Sequence, residues 1–100
     1  MRIQKGIEII VEGHTDNVPY VSSNGIIKDN WDLSVLRATT VCKTMILNGI
    51  DPKKIIASGH AEYNPVSENN SDESKAKNRR TEIILSPDMK EIFNLLNKGL

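Results

Sequence analysis

Hydrophobic and polar positions alternate with period two over residues 7–12, Ile-Glu-Ile-Ile-Val-Glu, which puts Ile7, Ile9 and Val11 on one face and Glu8 and Glu12 on the other. That period with β-branched residues predicts a strand, ended by Gly13. From His14 to Asn30 the pattern dissolves into a run with Pro19, Gly25, serines and asparagines, and a loop this long in a small domain is more often functional than idle. The period then changes to 3.6. Val35, Ala38, Val41, Cys42 and Met45 fall on one stripe of a helix over 33–48, capped by Asp32 or Ser34 and stopped by Asn48-Gly49. Ile55–Ser58 reads as a second strand ended by Gly59, and residues 72–77 as a short helix. Thr81, Ile83 and Leu85 mark a third strand. Ser86-Pro87 supplies a cap and a first-turn proline for a last helix, Pro87–Lys98, with Met89, Ile92, Phe93 and Leu96 on its apolar face. Strands alternate with helices, so the fold class is α/β.

Composition narrows the function classes. Thirteen Lys plus Arg face 13 Asp plus Glu in 100 residues, and the balance holds in each half. A nucleic-acid or polybasic membrane-surface reader normally carries a basic excess, so no nucleic-acid partner is expected. No apolar run approaches the roughly 20 residues of a membrane span, so this segment is not expected to insert into a membrane. Met1–Gly6 lacks the apolar stretch of a secretory signal. The single Cys42 excludes an internal disulfide and a multi-thiolate metal centre. Aromatics make up 4%, leaving 13 isoleucines to build much of the core.

The candidate chemistry begins in Gly13-His14-Thr15-Asp16-Asn17. His14 and Asp16 have no third ligand nearby in the sequence, and His60 has no partner at ligand spacing, so no metal site and no cofactor are expected. Ser34, His14 and Asp16 make a triad only on paper, without a nucleophile motif, so no catalytic residues are assigned and His14 reads as a packing and hydrogen-bonding residue at a strand end. Arg37 lies near the start of the main helix, where the dipole favours anions. Either it is a surface arginine, or one paired with Asp32 or Asp16, or it is a fork that grips a carboxylate. Lys75, Lys77, Arg79 and Arg80 crowd one segment, but Asp72, Glu73 and Glu82 offset them and no glycine-rich loop accompanies them.

Four ordered motifs carry a family resemblance: Val11-Glu12-Gly13-His14-Thr15-Asp16-Asn17, Asn30-Trp31-Asp32-Leu33-Ser34-Val35-Leu36-Arg37-Ala38, Gly49-Ile50-Asp51-Pro52-Lys53-Lys54-Ile55 and Asn78-Arg79-Arg80-Thr81-Glu82-Ile83. Together they resemble the OmpA-like peptidoglycan-binding domains of outer-membrane proteins, Pal lipoproteins and flagellar MotB. The loop with Asn17-Val18-Pro19-Tyr20 is most similar to the MotB-like and envelope-lipoprotein branches. The resemblance implies a two-layer α/β sandwich with a mixed sheet over residues 1–86, followed by a helical extension over 87–100. It also implies a non-catalytic periplasmic module that anchors an outer-membrane, lipoprotein or inner-membrane-anchored parent protein to the cell wall by binding the diaminopimelate stem peptide of peptidoglycan.

By the same resemblance Asp16 takes the ammonium of the ligand and Arg37 its carboxylate. Thr15 and Asn30 add hydrogen bonds, Leu33 joins the site, and Asn78 and Arg79 complete it. Strand alternation sends Arg79 and Arg80 to opposite sides without saying which faces inward. The competing expectation is a structural or assembly domain of an envelope or motor protein with little wall affinity. The family opens with a strand and a helix that have no counterpart in Met1–Gly6. Their loss would uncover aliphatic surface around Ile7–Val11 and Thr81–Leu85 and favour a homodimer, with the last helix covering part of that face.

Overall fold

The computed structural model describes residues 6–21 and 25–99. Strand β1, Ile7–His14, is the middle of a three-stranded sheet of order β2-β1-β3. β2, Ile55–Gly59, runs parallel to it with Ile9 opposite Ile55 and Gly13 opposite Gly59. β3, Arg80–Pro87, runs antiparallel with Val11 opposite Ile83 and His14 opposite Arg80. The connection from β1 to β2 carries helix α1, Asn30–Leu47, and a 3-10 turn at Pro52–Lys54. Helix α2, Asp72–Asn78, precedes β3, and α3, Met89–Gly99, follows it. One helix layer on one mixed sheet is the two-layer α/β arrangement that the family resemblance implies.

β1 continues through Gly13 to His14, two residues past the expected end. Gly13 is no breaker here. A Cβ on it would stand 1.9 Å from the Ser34 carbonyl oxygen, and one on Gly59, its neighbour in β2, 2.5 Å from Val35 Cγ2. These two glycines let α1 lie directly on the ends of both strands. The face that α1 buries is correspondingly small-sided: Asn30, Ser34, Ala38 and Cys42, with Val41 and Met45 packing alongside. The expected stripe began at Val35, which is exposed because Ser34 takes the close contact in its place.

α1 also starts earlier than the expected residue 33. Asp29 caps it by accepting a hydrogen bond from the Asp32 amide (2.9 Å), and the Asp32 carboxylate reaches back to the Lys28 amide (2.9 Å). Two orphan donors are met reciprocally, in the manner of a capping box.

The core is Ile9, Val11, Ala38, Cys42 and Ile50, between α1 and strands β1 and β2. α1 does not reach across β3, where Ile83 and Leu85 are 53% and 54% exposed. The expected uncovered surface is therefore present at β3 but absent at Ile9 and Val11, which are fully buried.

The last helix departs from expectation twice. Pro87 closes β3 opposite Ile7 and does not open a helix, since the Asp88 amide donates to Gly6 O (2.9 Å) and extends the ladder. A proline is tolerated at such an edge position. Among the described residues α3 also makes no extensive contact with the sheet and leaves Phe93, Leu95 and Leu96 exposed, so these residues do not cover β3. The side chains of Met89 and Ile92 lie outside the described residues. The radius of gyration, 16.7 Å, against about 13 Å for a compact chain of this length, fits an elongated molecule.

Candidate functional site

The site forms where β1 leaves the sheet beside the start of α1. Once past His14 the chain is fixed by backbone bonds to the segment after β2: His60 N–H donates to Gly13 O (3.0 Å) and Thr15 N–H to Ala61 O (2.9 Å). Ala61 sits at φ 52°, the left-handed region where a side chain is strained, and it is fully buried. Its amide donates to Ser34 Oγ (3.0 Å), whose hydroxyl donates to Trp31 O (2.9 Å). Ser34 thus ties the segment after β2 to the first turns of α1. The sequence offers Ser34 as a helix cap and places it in the second motif, but this bracing role shows only in its place four residues before Ala38 and eight before Cys42 on a small-residue stripe.

Asp16 is 93% buried, and each of its carboxylate oxygens has one partner. Oδ1 accepts from the Val18 amide (3.0 Å), and Oδ2 accepts from Arg79 Nη1 (2.6 Å) in an ion pair. The backbone carbonyl of Asp16 accepts from Thr15 Oγ1 (2.8 Å) and more weakly from Asn30 Nδ2 (3.4 Å). Asn30, itself buried, also donates to Val18 O (3.1 Å) and reaches Glu62 Oε2 at 3.5 Å, so it holds the mouth of the loop. Arg37 donates through Nη1 to the carbonyl of His14 (2.8 Å). Of the alternatives left open for it, pairing with Asp16 or Asp32 is not what the structure has; Arg79 takes that place at Asp16.

These residues line a groove of about 420 Å³ formed by Thr15, Asp16, Val18, Pro19, Tyr20, Asn30, Leu33, Arg37 and Arg79. That size lies within the range of small-ligand sites. Six of the seven candidate site residues (Thr15, Asp16, Asn30, Leu33, Arg37 and Arg79) are brought together here. Asn78 is not among them. It is fully buried, its Oδ1 accepts from the Val66 and Ser67 amides, and its Nδ2 donates to Ser67 O and Asn69 Oδ1. Four hydrogen bonds make it the clasp of the loop before α2, and this clasp fixes the start of β3 and with it Arg79. Arg80 turns to the other face, bonding Glu82 and the carbonyls of Asn78 and Asn64.

The apolar wall of Val18, Pro19 and Tyr20 was not legible as part of a site. A second hollow of about 230 Å³ adjoins the groove, sharing Pro19, Tyr20 and Asn30 with it. Trp31 and Tyr63 stand in it with ring centroids 5.5 Å apart.

Such a fold, with a charged groove at one end of a mixed sheet, defines a small α/β binding domain. The chain belongs to the OmpA family, whose sequence model matches residues 1–79. It is 42% identical over 80 residues to motility protein B of Bacillus subtilis, a match covering 79% of this chain and 30% of that protein. It is 35% identical over 78 residues to the peptidoglycan-binding protein ArfA of Mycobacterium bovis, covering 78% of this chain and 22% of the relative. Among solved structures, the C-terminal domain of Helicobacter pylori MotB superposes with a TM-score of 0.77 at 32% identity, covering 96% of this chain and 74% of that one. The chain therefore spans a third or less of the length of these two curated relatives.

Proposed function

We propose that this chain is a non-catalytic binding domain that holds its parent protein to peptidoglycan in the periplasm. The observation that carries this reading is a carboxylate and two guanidiniums lining one open groove: Asp16, paired with Arg79, and Arg37, held on the His14 carbonyl. The free end of diaminopimelate carries an ammonium and a carboxylate on one carbon, joined to the rest of the peptide by a short methylene chain. Asp16 accepts the ammonium, since a carboxylate has about four acceptor positions and the Val18 and Arg79 bonds take only two of them. Arg37 takes the ligand carboxylate, with Arg79 beside it, and a guanidinium suits this planar two-oxygen target better than a lysine. Val18, Pro19 and Tyr20 give the methylenes an apolar wall. The relative named as peptidoglycan-binding supports the ligand class.

A competing reading, an assembly domain with little wall affinity, draws on the ion pair that already occupies Asp16. Calorimetry with three stem peptides separates the two. Peptide with free diaminopimelate is expected to bind. Amidation of its terminal carboxylate removes the charged partner of Arg37 and is expected to weaken binding at least tenfold, and lysine in its place should bind as poorly. Equal affinity for all three would move the contact off this charge pair, and no binding to peptides or sacculi would favour the assembly domain.

A further inference from the structure

On the face of the sheet opposite α1, the register of the strands gathers residues that lie far apart in the sequence. Glu12 and His14 are on β1, and His60 follows Gly59, the β2 residue paired with Gly13. The two imidazoles stack with centroids 4.8 Å apart and planes within 12° of parallel. They turn the same edge to one carboxylate: His14 Nε2 lies 3.5 Å from Glu12 Oε1, and His60 Nε2 3.3 Å from Glu12 Oε2. One ligand atom from each of the three residues falls within 4.8 Å of the others. His14 is fully buried, yet neither of its ring nitrogens has a hydrogen-bond partner. A buried polar atom left unpaired costs about 1–3 kcal/mol, and buried polar groups in native proteins are nearly always matched.

We infer that Glu12, His14 and His60 form a binding site for a borderline transition-metal ion of the Zn²⁺ class, on the opposite side of the sheet from the groove. Ligand bonds of about 2.0–2.2 Å in a tetrahedral shell put donor atoms roughly 3.3 Å apart, close to the 3.3 and 3.5 Å separations between Glu12 and the two imidazoles. The lone pairs of the nearly parallel rings do not yet converge, so His60, whose side chain is about one third exposed, tilts out of the stack to share the ion and gives up the 3.4 Å contact of its Nε2 with Ser58 Oγ. Two neutral imidazoles and a carboxylate select zinc and its neighbours over Ca²⁺ or Mg²⁺, which demand oxygen shells. The fourth position is left to water.

Charge favours a cation as well. Glu12 is the carboxylate that carries this attraction: Glu82 also stands 3.8 Å from His14 Nε2, but the Arg80 guanidinium is paired with it and offsets its charge. His14 lacks the hydrogen-bond partner that most metal-binding histidines have at their other nitrogen, which weakens the site by about 10–100-fold relative to one that has it. A bound ion would fasten the ends of β1 and β2 under the loop that carries Asp16.

The inference is independent of the groove's ligand and is tested on the tag-free chain. Titration with ZnCl₂ at pH 7.5 should show one ion bound saturably per chain and a Zn²⁺-dependent rise in melting temperature, with no response to CaCl₂. His60→Ala and Glu12→Gln, each checked for folding by circular dichroism, should weaken binding at least tenfold and abolish the thermal shift. Absence of saturable Zn²⁺ binding to the native chain, or affinity unchanged in both folded variants, would overturn the site.

Discussion

His14 and Asp16 lie two residues apart in one motif, both buried and both titratable, and the structure treats them in opposite ways. Asp16 stands on the groove side, and each of its carboxylate oxygens is bonded, one to the Val18 amide and one to the Arg79 guanidinium. His14 stands on the other face, stacked on His60, with neither ring nitrogen hydrogen-bonded. The lesson is about which group tolerates burial in which state. An ionised carboxylate removed from water needs partners, so it comes with a cation and a backbone donor. An imidazole can shed its charge and stay buried as a neutral ring. Burial does this to His14, and the charges of Arg80 and His60 add to it, holding its pKa below the ordinary 6.5 against the opposing pull of Glu82 and Glu12.

The largest effect is expected on the charged side. Asp16→Ala and Arg37→Ala should each abolish pulldown with purified peptidoglycan, a loss of about 2–5 kcal/mol, because either change leaves one ligand charge unpaired in the groove. Asp16→Asn sharpens the comparison: it keeps an acceptor for the Val18 amide and removes only the charge that faces Arg79 and the ligand. If the asparagine variant binds as the native chain does, the charge is irrelevant and the matched-ion reading fails. Retained binding by both folded alanine variants would place the site elsewhere.

Next comes the residue that makes the two sides possible. Gly13 immediately precedes His14, and its missing Cβ lets α1 press onto β1 with Ser34 O at the position a methyl would need. Gly13→Ala is expected to cost about 3 kcal/mol in chemical denaturation, since the obstacle is helix backbone and not a side chain that can swing away. It should weaken the groove too, because Arg37 rides on the same helix and bonds the His14 carbonyl. A loss below about 0.5 kcal/mol would mean that helix and strand separate easily and that the close approach fixes nothing.

How much of this was legible in the sequence differs between the two sides for a physical reason. The strands, the main helix and six of the groove residues could be read because period and motif are local: Ile7, Ile9 and Val11 announce a strand, and Asp16 and Arg37 sit in stretches with a recognisable order. Boundaries failed where tertiary contact overrides local preference. Gly13 looks like a stop and is a point of close packing, and Ser86-Pro87 looks like a helix start and is the end of an edge strand. The Glu12–His14–His60 cluster was invisible because it depends on register. His60 is 46 residues from His14 and meets it only because Gly13 pairs with Gly59. Asn78 reads as a polar site residue, yet its amide is consumed in closing a loop, something only the hydrogen bonds reveal.

The smallest effect tests the neutral side of the comparison by pH. His14 binds its proton less readily in the folded chain than in the unfolded one, where its pKa is near 6.5. Between the lowered folded value and 6.5 the unfolded state therefore carries more protons, and stability rises with pH across that window. The contribution is complete above 6.5, falls away as pH drops toward the folded value, and is flat below it. Glu82 works in a separate range. Its hydrogen bond from Arg80 holds its pKa below 4.5, so the stability it adds is present above 4.5 and is lost only as pH falls further. Denaturation midpoints measured from pH 7.5 to 5.0 should thus decline first through histidine alone. His14→Phe keeps an aromatic ring against His60 and removes the titration, so its midpoint should hold level over the same interval while the native chain's falls. A native chain whose midpoint does not move, or a phenylalanine variant that declines as steeply, would show that His14 is not the group kept neutral by burial.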